Sequence, residues 1–68
     1  MPLSARNRLK GVVTEVILGT VTALITVKVG SNIVESVITK RSAEEMGLKK
    51  GDKVTAVIKA TEVMIQKG

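Results

Sequence analysis

The chain contains no cysteine and no histidine, and phenylalanine, tyrosine and tryptophan are all absent. Without cysteine, it forms no disulfide and offers no thiolate to a metal ion. Without histidine, it lacks the side chain that most often acts as a general base near neutral pH. Proton transfer would therefore depend on lysines or carboxylates, and no two of its acids form a pair at a spacing typical of catalysis. These acids are Glu15, Glu35, Glu44, Glu45, Asp52 and Glu62. We expect no enzymatic activity, no bound cofactor and no metal centre.

The absence of aromatic residues also argues against nucleic acid as a ligand, because proteins that bind single strands stack the bases on aromatic rings. The formal net charge of +5 still favours an anionic partner of some kind. No apolar run approaches the ~20 residues of a membrane span, and no signal peptide is visible. We therefore expect a cytoplasmic protein that does not enter a membrane.

At 68 residues the chain is one small domain, spanning residues 1–68. A chain of this size buries only about 60% of the surface that its unfolded form exposes. Small domains usually add disulfides, a metal or partner subunits to such a core. Because the composition excludes the first two, we expect an oligomer.

Alternating apolar residues predict a β-rich fold. Residues 9–18 predict a strand with apolar side chains on both faces, which suggests that one face meets another subunit. Residues 21–29 alternate regularly, as in a half-buried strand. Gly30-Ser31 then predicts a two-residue hairpin turn, and residues 32–39 predict the returning strand.

A short helix is predicted next. Ser42 and Glu45 have the spacing of a capping box, in which both side chains bind free amides at a helix start. Gly47 is suited to end the helix after one to one and a half turns. Met46 and Leu48 are expected to fix it over an open end of the sheet.

The remaining sequence predicts two further strands. Residues 49–52 form a turn, residues 53–58 a strand, and residues 63–65 a last short strand, with Thr61 capping the turn between them. The predicted fold is all-β: a small five-stranded Greek-key barrel of the OB type with one short helix, assembled as an oligomer. An open half of a β-sandwich would give a similar pattern.

The amino end concentrates positive charge. In an extended backbone Ser4, Arg6, Arg8 and Lys10 share one face, and no acid lies among them. A bound anion would relieve the repulsion between these cations, so the stretch is a candidate half of an oxyanion site. The alternative is a solvated basic terminus.

A second half-site is predicted near the other end of the chain. Lys59 ends a predicted strand directly before a turn at Ala60-Thr61. Free backbone amides at the start of such a turn can donate hydrogen bonds to an anion. Together Arg6 and Lys59 offer two positive charges, which match a tetrahedral dianion. The alternative for Lys59 is a lysine that simply projects into water.

Three stretches carry a family resemblance. They read SARNRLKG at 4–11, VTA at 21–23 within the segment 19–29, and VTAVIKATEVMI at 54–65. They resemble the molbindin or Mop family, small molybdate-binding proteins built from a single transport-associated OB (TOBE) domain. The resemblance covers nearly the whole chain.

The resemblance implies a cytoplasmic store for molybdate and tungstate. It also implies a homohexamer arranged as a trimer of dimers, with ligands bound between subunits. Carried over, the main site comprises Ser4, Ala5 and Arg6 of one chain with Lys59, Ala60 and Thr61 of a neighbour. A second type of site near the threefold axis would use Gly19, Thr20, Val21, Thr22 and Ala23. Thr20 and Thr22 are equally well explained as turn and exposed strand residues.

Two other functions remain open. One is a basic OB module that binds nucleic acid through the same face. The other is a regulatory or oligomerisation domain of a molybdate-responsive complex. In all three, Asn7 is expected to fix the local backbone, while Arg8 and Lys10 face solvent or neighbouring chains.

Overall fold

A computed structural model of the protein describes residues 6–68 and shows one antiparallel sheet with a short helix. The sheet contains four strands in the order β3-β2-β1-β4. The strands are β1 (Asn7–Leu18), β2 (Thr22–Val29), β3 (Asn32–Thr39) and β4 (Lys53–Ile58), and helix α1 (Lys40–Met46) connects β3 to β4. A 3₁₀ turn (Ala60–Glu62) follows β4.

Strand β1 joins the two halves of the sheet. Its first half pairs with β4, from Asn7 opposite Ile58 to Val12 opposite Lys53, and its second half pairs with β2. Gly11 lies where β1 passes close to β2, because a Cβ there would be 2.5 Å from the carbonyl oxygen of Lys28. The register shifts at a bulge just beyond this point. Bulges increase the local twist of a strand, so β1 can pair with both β4 and β2 within one curved sheet.

The core is small and lies on one face of the sheet. Ala23, Ile25 and Val27 of β2 are buried against Val13 of β1 and Ala43 of α1. The predicted alternation of β2 is therefore confirmed over three positions. Val21 was expected on the same face, but it precedes the strand and is 71% exposed.

The predicted helix exists, but its start was wrong. Thr39, rather than Ser42, is the N-cap: its hydroxyl oxygen accepts a hydrogen bond from the Ser42 amide at 3.0 Å. The Thr39 hydroxyl also donates to the Ser42 hydroxyl oxygen at 2.8 Å. The helix consequently begins at Lys40 and has 7 residues, about two turns at 3.6 residues per turn.

The end of the helix follows the prediction more closely. Gly47 adopts the left-handed conformation with φ 61°, and its amide donates to the carbonyls of Ala43 and Glu44. Ala43 is the residue of α1 that is buried, and Leu48 packs half-buried against the core. Met46 does not anchor the helix, since 60% of its surface is exposed.

Other local predictions are confirmed. Val29 pairs with Asn32 across the Gly30-Ser31 turn, and β3 and β4 have the predicted bounds. The turn before β4 is held by the Asp52 carboxylate, which accepts a hydrogen bond from the Lys49 amide at 3.0 Å. Strand β1 begins two residues earlier than predicted.

The closed five-stranded barrel is wrong for the described chain. After Ile58 the backbone enters the 3₁₀ turn, and residues 63–65 do not pair with any strand of residues 6–68. Thr61 lies inside this turn and gives it no side-chain cap. The result is an open four-stranded sheet. None of the helices within residues 6–68 has the length and apolar character needed to span a membrane.

Replacement of Thr39 by Ala should lower the free energy of unfolding by about 1 kcal/mol, because an N-cap hydroxyl is lost. Ser42→Ala is the matched control and should change it by less than about 0.5 kcal/mol, since Ser42 uses its backbone amide for this bond. Urea denaturation at one fixed protein concentration measures both values. If Ser42→Ala lowered the free energy of unfolding more than Thr39→Ala does, the result would support the capping box of Ser42 and Glu45 that the sequence predicts.

Candidate functional site

Arg6 and Lys59 lie at the same end of the sheet. Asn7 opposite Ile58 is the outermost described pair between β1 and β4; Arg6 directly precedes Asn7, and Lys59 directly follows Ile58. Both are exposed. Within residues 6–68 neither forms a salt bridge; the ion pair present, between Arg41 and Glu45 at 3.9 Å, is on the helix surface. Two cations without a salt-bridge partner in residues 6–68 therefore lie at one end of the sheet, which we name the corner.

The Asn7 side chain holds this corner together. Its amide nitrogen donates to the carbonyl oxygen of Ile58 at 3.2 Å, and the residue is half-buried. This bond joins residues 51 positions apart in the sequence. Asn7 therefore has the role expected for it, which is to fix the backbone beside the cations.

The 3₁₀ turn adds backbone donors next to Lys59. Its internal hydrogen bonds come from the amides of Glu62 and Val63, which donate to the carbonyls of Lys59 and Ala60. In the part of the chain that the structure describes, the amides of Ala60 and Thr61 donate no hydrogen bond. Amides at the start of such a turn are the donors that an oxyanion accepts.

The predicted main site is thus represented by four residues of one chain: Arg6, Lys59, Ala60 and Thr61. Ser4 and Ala5 lie outside the described residues. The strand register places Arg6 and the segment from Lys59 to Thr61 at one sheet end of a single chain. A site at this corner can still be completed by a neighbour.

The predicted second site falls in the connection between β1 and β2. The Gly19 amide donates to the Thr22 carbonyl at 2.8 Å, and the Val21 carbonyl accepts from the Lys40 amide at 2.8 Å. Thr20 and Val21 are exposed at this turn, but Ala23 is buried, with 1% of its surface accessible. The Ala23 side chain therefore belongs to the core, and the exposed part of the turn is the part able to meet a ligand.

Comparison with known proteins identifies the family. The TOBE domain family matches residues 3–65 of the chain. Molybdenum-pterin-binding protein 1 of Clostridium pasteurianum is 47% identical over 66 residues, which cover 96% of this chain and 97% of that protein. The chain belongs to the Mop (molbindin) family of TOBE domains.

Solved structures show the same Mop fold. A molybdate-binding protein from Sporomusa ovata superimposes with a TM-score of 0.94 at 40% identity, over 98% of this chain and 100% of the other. The cytoplasmic molybdate-binding protein ModG, in a form with molybdate bound, matches with a TM-score of 0.82 at 41% identity. That match covers 88% of this chain and 43% of ModG.

A second basic surface of this Mop chain was missed by the sequence reasoning. Val12 pairs with both Lys28 and Lys53, so these lysines flank it on the outer face, and Lys10 lies two residues along β1. Lys10, Val12 and Lys53 line an open depression of about 450 Å³. We name Lys10, Lys28 and Lys53 the outer basic face. The outer basic face could not be predicted from a sequence motif, because its three lysines are distant in the sequence and only strand pairing brings them together.

Metal ligands are not clustered in the described part of this Mop protein. Within residues 6–68 no group of three Asp, Glu, His or Cys side chains is placed to hold a metal ion. The corner site offers hydrogen-bond donors and positive charge. Such a site suits a whole oxyanion rather than a bare cation.

Asn7→Ala should lower the free energy of unfolding by about 1 kcal/mol, because a half-buried hydrogen bond to Ile58 is lost. Asn32→Ala is the control: Asn32 also lies at the start of a strand, but it is exposed and its side chain makes no hydrogen bond within residues 6–68. Asn32→Ala should change the free energy of unfolding by no more than about 0.5 kcal/mol. Equal losses in urea denaturation would show that Asn7 does not fix this end of the sheet.

Proposed function

We propose that this chain binds molybdate and tungstate at the Arg6–Lys59 corner and serves as an intracellular molybdenum store. The single observation that carries the proposal is the β1–β4 register, which brings two exposed cations to one sheet end beside turn amides that donate no hydrogen bond within residues 6–68. Membership of the Mop family and the names of the relatives, molybdate-binding and molybdenum-pterin-binding, support the choice of ligand.

The chemistry of the corner favours a fully deprotonated tetrahedral dianion. The Arg6 guanidinium and the Lys59 ammonium neutralise two negative charges, while the Ala60 and Thr61 amides donate to remaining oxygens. Phosphate near neutral pH carries a proton that needs an acceptor, and Glu62 is the acid nearest in sequence. A site built from hydrogen-bond donors therefore selects against protonated phosphate.

The number of donors is sufficient for useful affinity. Micromolar binding corresponds to about 8 kcal/mol. Hydrogen bonds to charged groups contribute about 1.5–3 kcal/mol each. Four such donors would supply this after part of the gain is offset by ordering of the side chains. Ser4 and Ala5 would add further donors to the same ion.

We further propose that the working form is a cytoplasmic homohexamer, a trimer of dimers with ions bound between chains. The small core supports association, because the five residues buried within residues 6–68 are all aliphatic and modest in size. A ligand held by groups from two chains stabilises the assembly by mass action. The exposed Gly19–Thr22 turn is the proposed second site, near the threefold axis. Storage then consists of reversible binding without catalysis.

Nucleic acid is the second candidate ligand, and the outer basic face is the observation that favours it. Its three lysines carry charge of one sign across neighbouring strands. Binding to a phosphate backbone would weaken steeply with salt. Molybdate binding at the corner and nucleic acid binding at the outer face predict different sensitive residues, so one set of variants separates them.

Titration calorimetry should show micromolar binding of molybdate to the wild-type protein and much weaker heats for phosphate, which carries a proton near neutral pH. Arg6→Ala or Lys59→Ala should weaken molybdate binding about tenfold to a hundredfold, because each removes one charge-assisted contact. The matched control is Lys10→Ala or Lys53→Ala, which removes one positive charge from the outer basic face. These controls should bind molybdate nearly as well as wild type.

Two results would contradict the proposal. One is an affinity for molybdate that Arg6→Ala leaves unchanged. The other is an equal loss from the corner and the outer-face variants, which would mean that net charge alone attracts the ion. Salt-sensitive retention of duplex oligonucleotides that Lys10→Ala and Lys53→Ala abolish would support the second candidate instead.

A further inference from the structure

The outer face of the sheet carries a row of side chains that alternates between cations and apolar groups. Residues directly opposite one another on antiparallel strands project from the same face. Val12 lies opposite both Lys53 and Lys28, and Lys28 also lies opposite Ile33. Val12 and Ile33 are 41% and 58% exposed, and both lysines are exposed as well. The row therefore presents two charges and two apolar side chains across all four strands.

The bulge in β1 places two acids in the next row. Because the register shifts between residues 13 and 15, Glu15 rather than Thr14 lies opposite Thr26, and Thr26 also lies opposite Glu35. Thr14 is half-buried, and its hydroxyl donates to the Thr26 carbonyl at 3.3 Å. Bulges change the direction of side chains on a strand. This bulge thus brings the exposed Glu15 onto the outer face, and we name Glu15 and Glu35 the acidic pair.

The opposite charges of these two rows do not pair with one another. Lys28 and Thr26 are two residues apart on β2, which separates the rows by about 6.7 Å. Within residues 6–68 no member of the outer basic face or of the acidic pair forms a salt bridge. All five charges are therefore open to a partner, and complementary charges on a partner give an interface its specificity.

The presence of both signs distinguishes a protein partner from a nucleic acid. A phosphate backbone carries charge of one sign only, and the acidic pair lies close enough to the lysines to repel it, within the Debye length of about 10 Å. A protein segment can carry both signs together with an apolar side chain. An exposed apolar residue surrounded by charges, as Val12 is, has the arrangement of a protein interface with an apolar centre and a polar rim.

We propose that the outer face docks an extended segment of a different protein, with an acid, an apolar residue and a cation at alternate positions. These side chains would lie over Lys10, Val12 and Glu15 in turn. Alternate residues of an extended segment are about 6.7 Å apart, which is the spacing between rows on the sheet. A contact of this small size suits a transient partner. The docking goes beyond oxyanion binding and does not use Arg6 or Lys59.

Titration followed by NMR tests the docking on the ¹⁵N-labelled wild-type protein without molybdate. The probe is a peptide with capped ends and the sequence Glu-Ser-Leu-Ser-Lys, added to millimolar concentration. Amide shifts should change at Lys10, Val12 and Lys28. Lys28→Gln should weaken binding about threefold, because one charge contact is lost. The matched control is Lys67→Gln, which removes an equal exposed charge near the chain end and should bind the peptide as wild type does.

Glu15→Gln separates a protein segment from a polyanion, because the two partners predict changes of opposite sign. It should weaken binding of the peptide about threefold, since the peptide's lysine loses its partner. It would strengthen binding of a duplex oligonucleotide, since a repulsive charge is removed. A second peptide, with its lysine replaced by glutamate, should bind the wild-type protein more weakly than the first. Glu15 is exposed, so circular dichroism should show an unchanged fold.

Several results would overturn the docking proposal. Unchanged amide shifts on the outer face at millimolar peptide would do so, as would tighter binding of either peptide by Glu15→Gln. Equal losses from Lys28→Gln and Lys67→Gln would show that net charge alone attracts the peptide. Molybdate titrations of the same variants keep the two proposals apart, because Lys28→Gln should bind molybdate as wild type does whether or not it binds the peptide.

Discussion

The antiparallel register between β1 and β4 is the constraint on which the site depends. It joins the first and last strands of the chain, and the hydrogen bond from Asn7 to the Ile58 carbonyl holds its end. A shift of one residue would turn the alternating faces over and separate Arg6 from Lys59. The core resists such a shift, because Val13 is buried next to this pairing and the turn before β4 bonds to it: the Gly51 amide donates to the Val13 carbonyl at 2.8 Å.

A small core explains why association matters to this fold. Within residues 6–68 the open sheet buries five aliphatic residues and leaves apolar side chains exposed on both edge strands and at residues 63–65. Contact with neighbouring chains in the proposed hexamer would cover such side chains. Assembly and oxyanion binding would then be linked, because the proposed ions are bound between chains.

Local features of the fold could be predicted from the sequence, and distant pairings could not. The β2–β3 hairpin follows from alternation and a two-residue glycine turn, which are properties of adjacent residues. The helix start was wrong because two capping patterns overlap, Thr39 with Ser42 and Ser42 with Glu45, and the choice depends on where β3 ends. The strand at residues 63–65 was predicted from its own composition, but a strand also has to pair with an edge, and composition does not show whether that pairing forms; within residues 6–68 it does not.

For the site, the sequence predicts Arg6 and Lys59 as candidate ligands, but their position at one sheet end could not be predicted, since no motif reveals a register between residues about fifty positions apart. The most direct test is crystallography of the protein grown with molybdate, using the anomalous signal of molybdenum. Peaks next to Arg6 and Lys59 at the end of the β1–β4 pair are the predicted result. Molybdenum at the outer basic face, with the corner empty, would contradict the account.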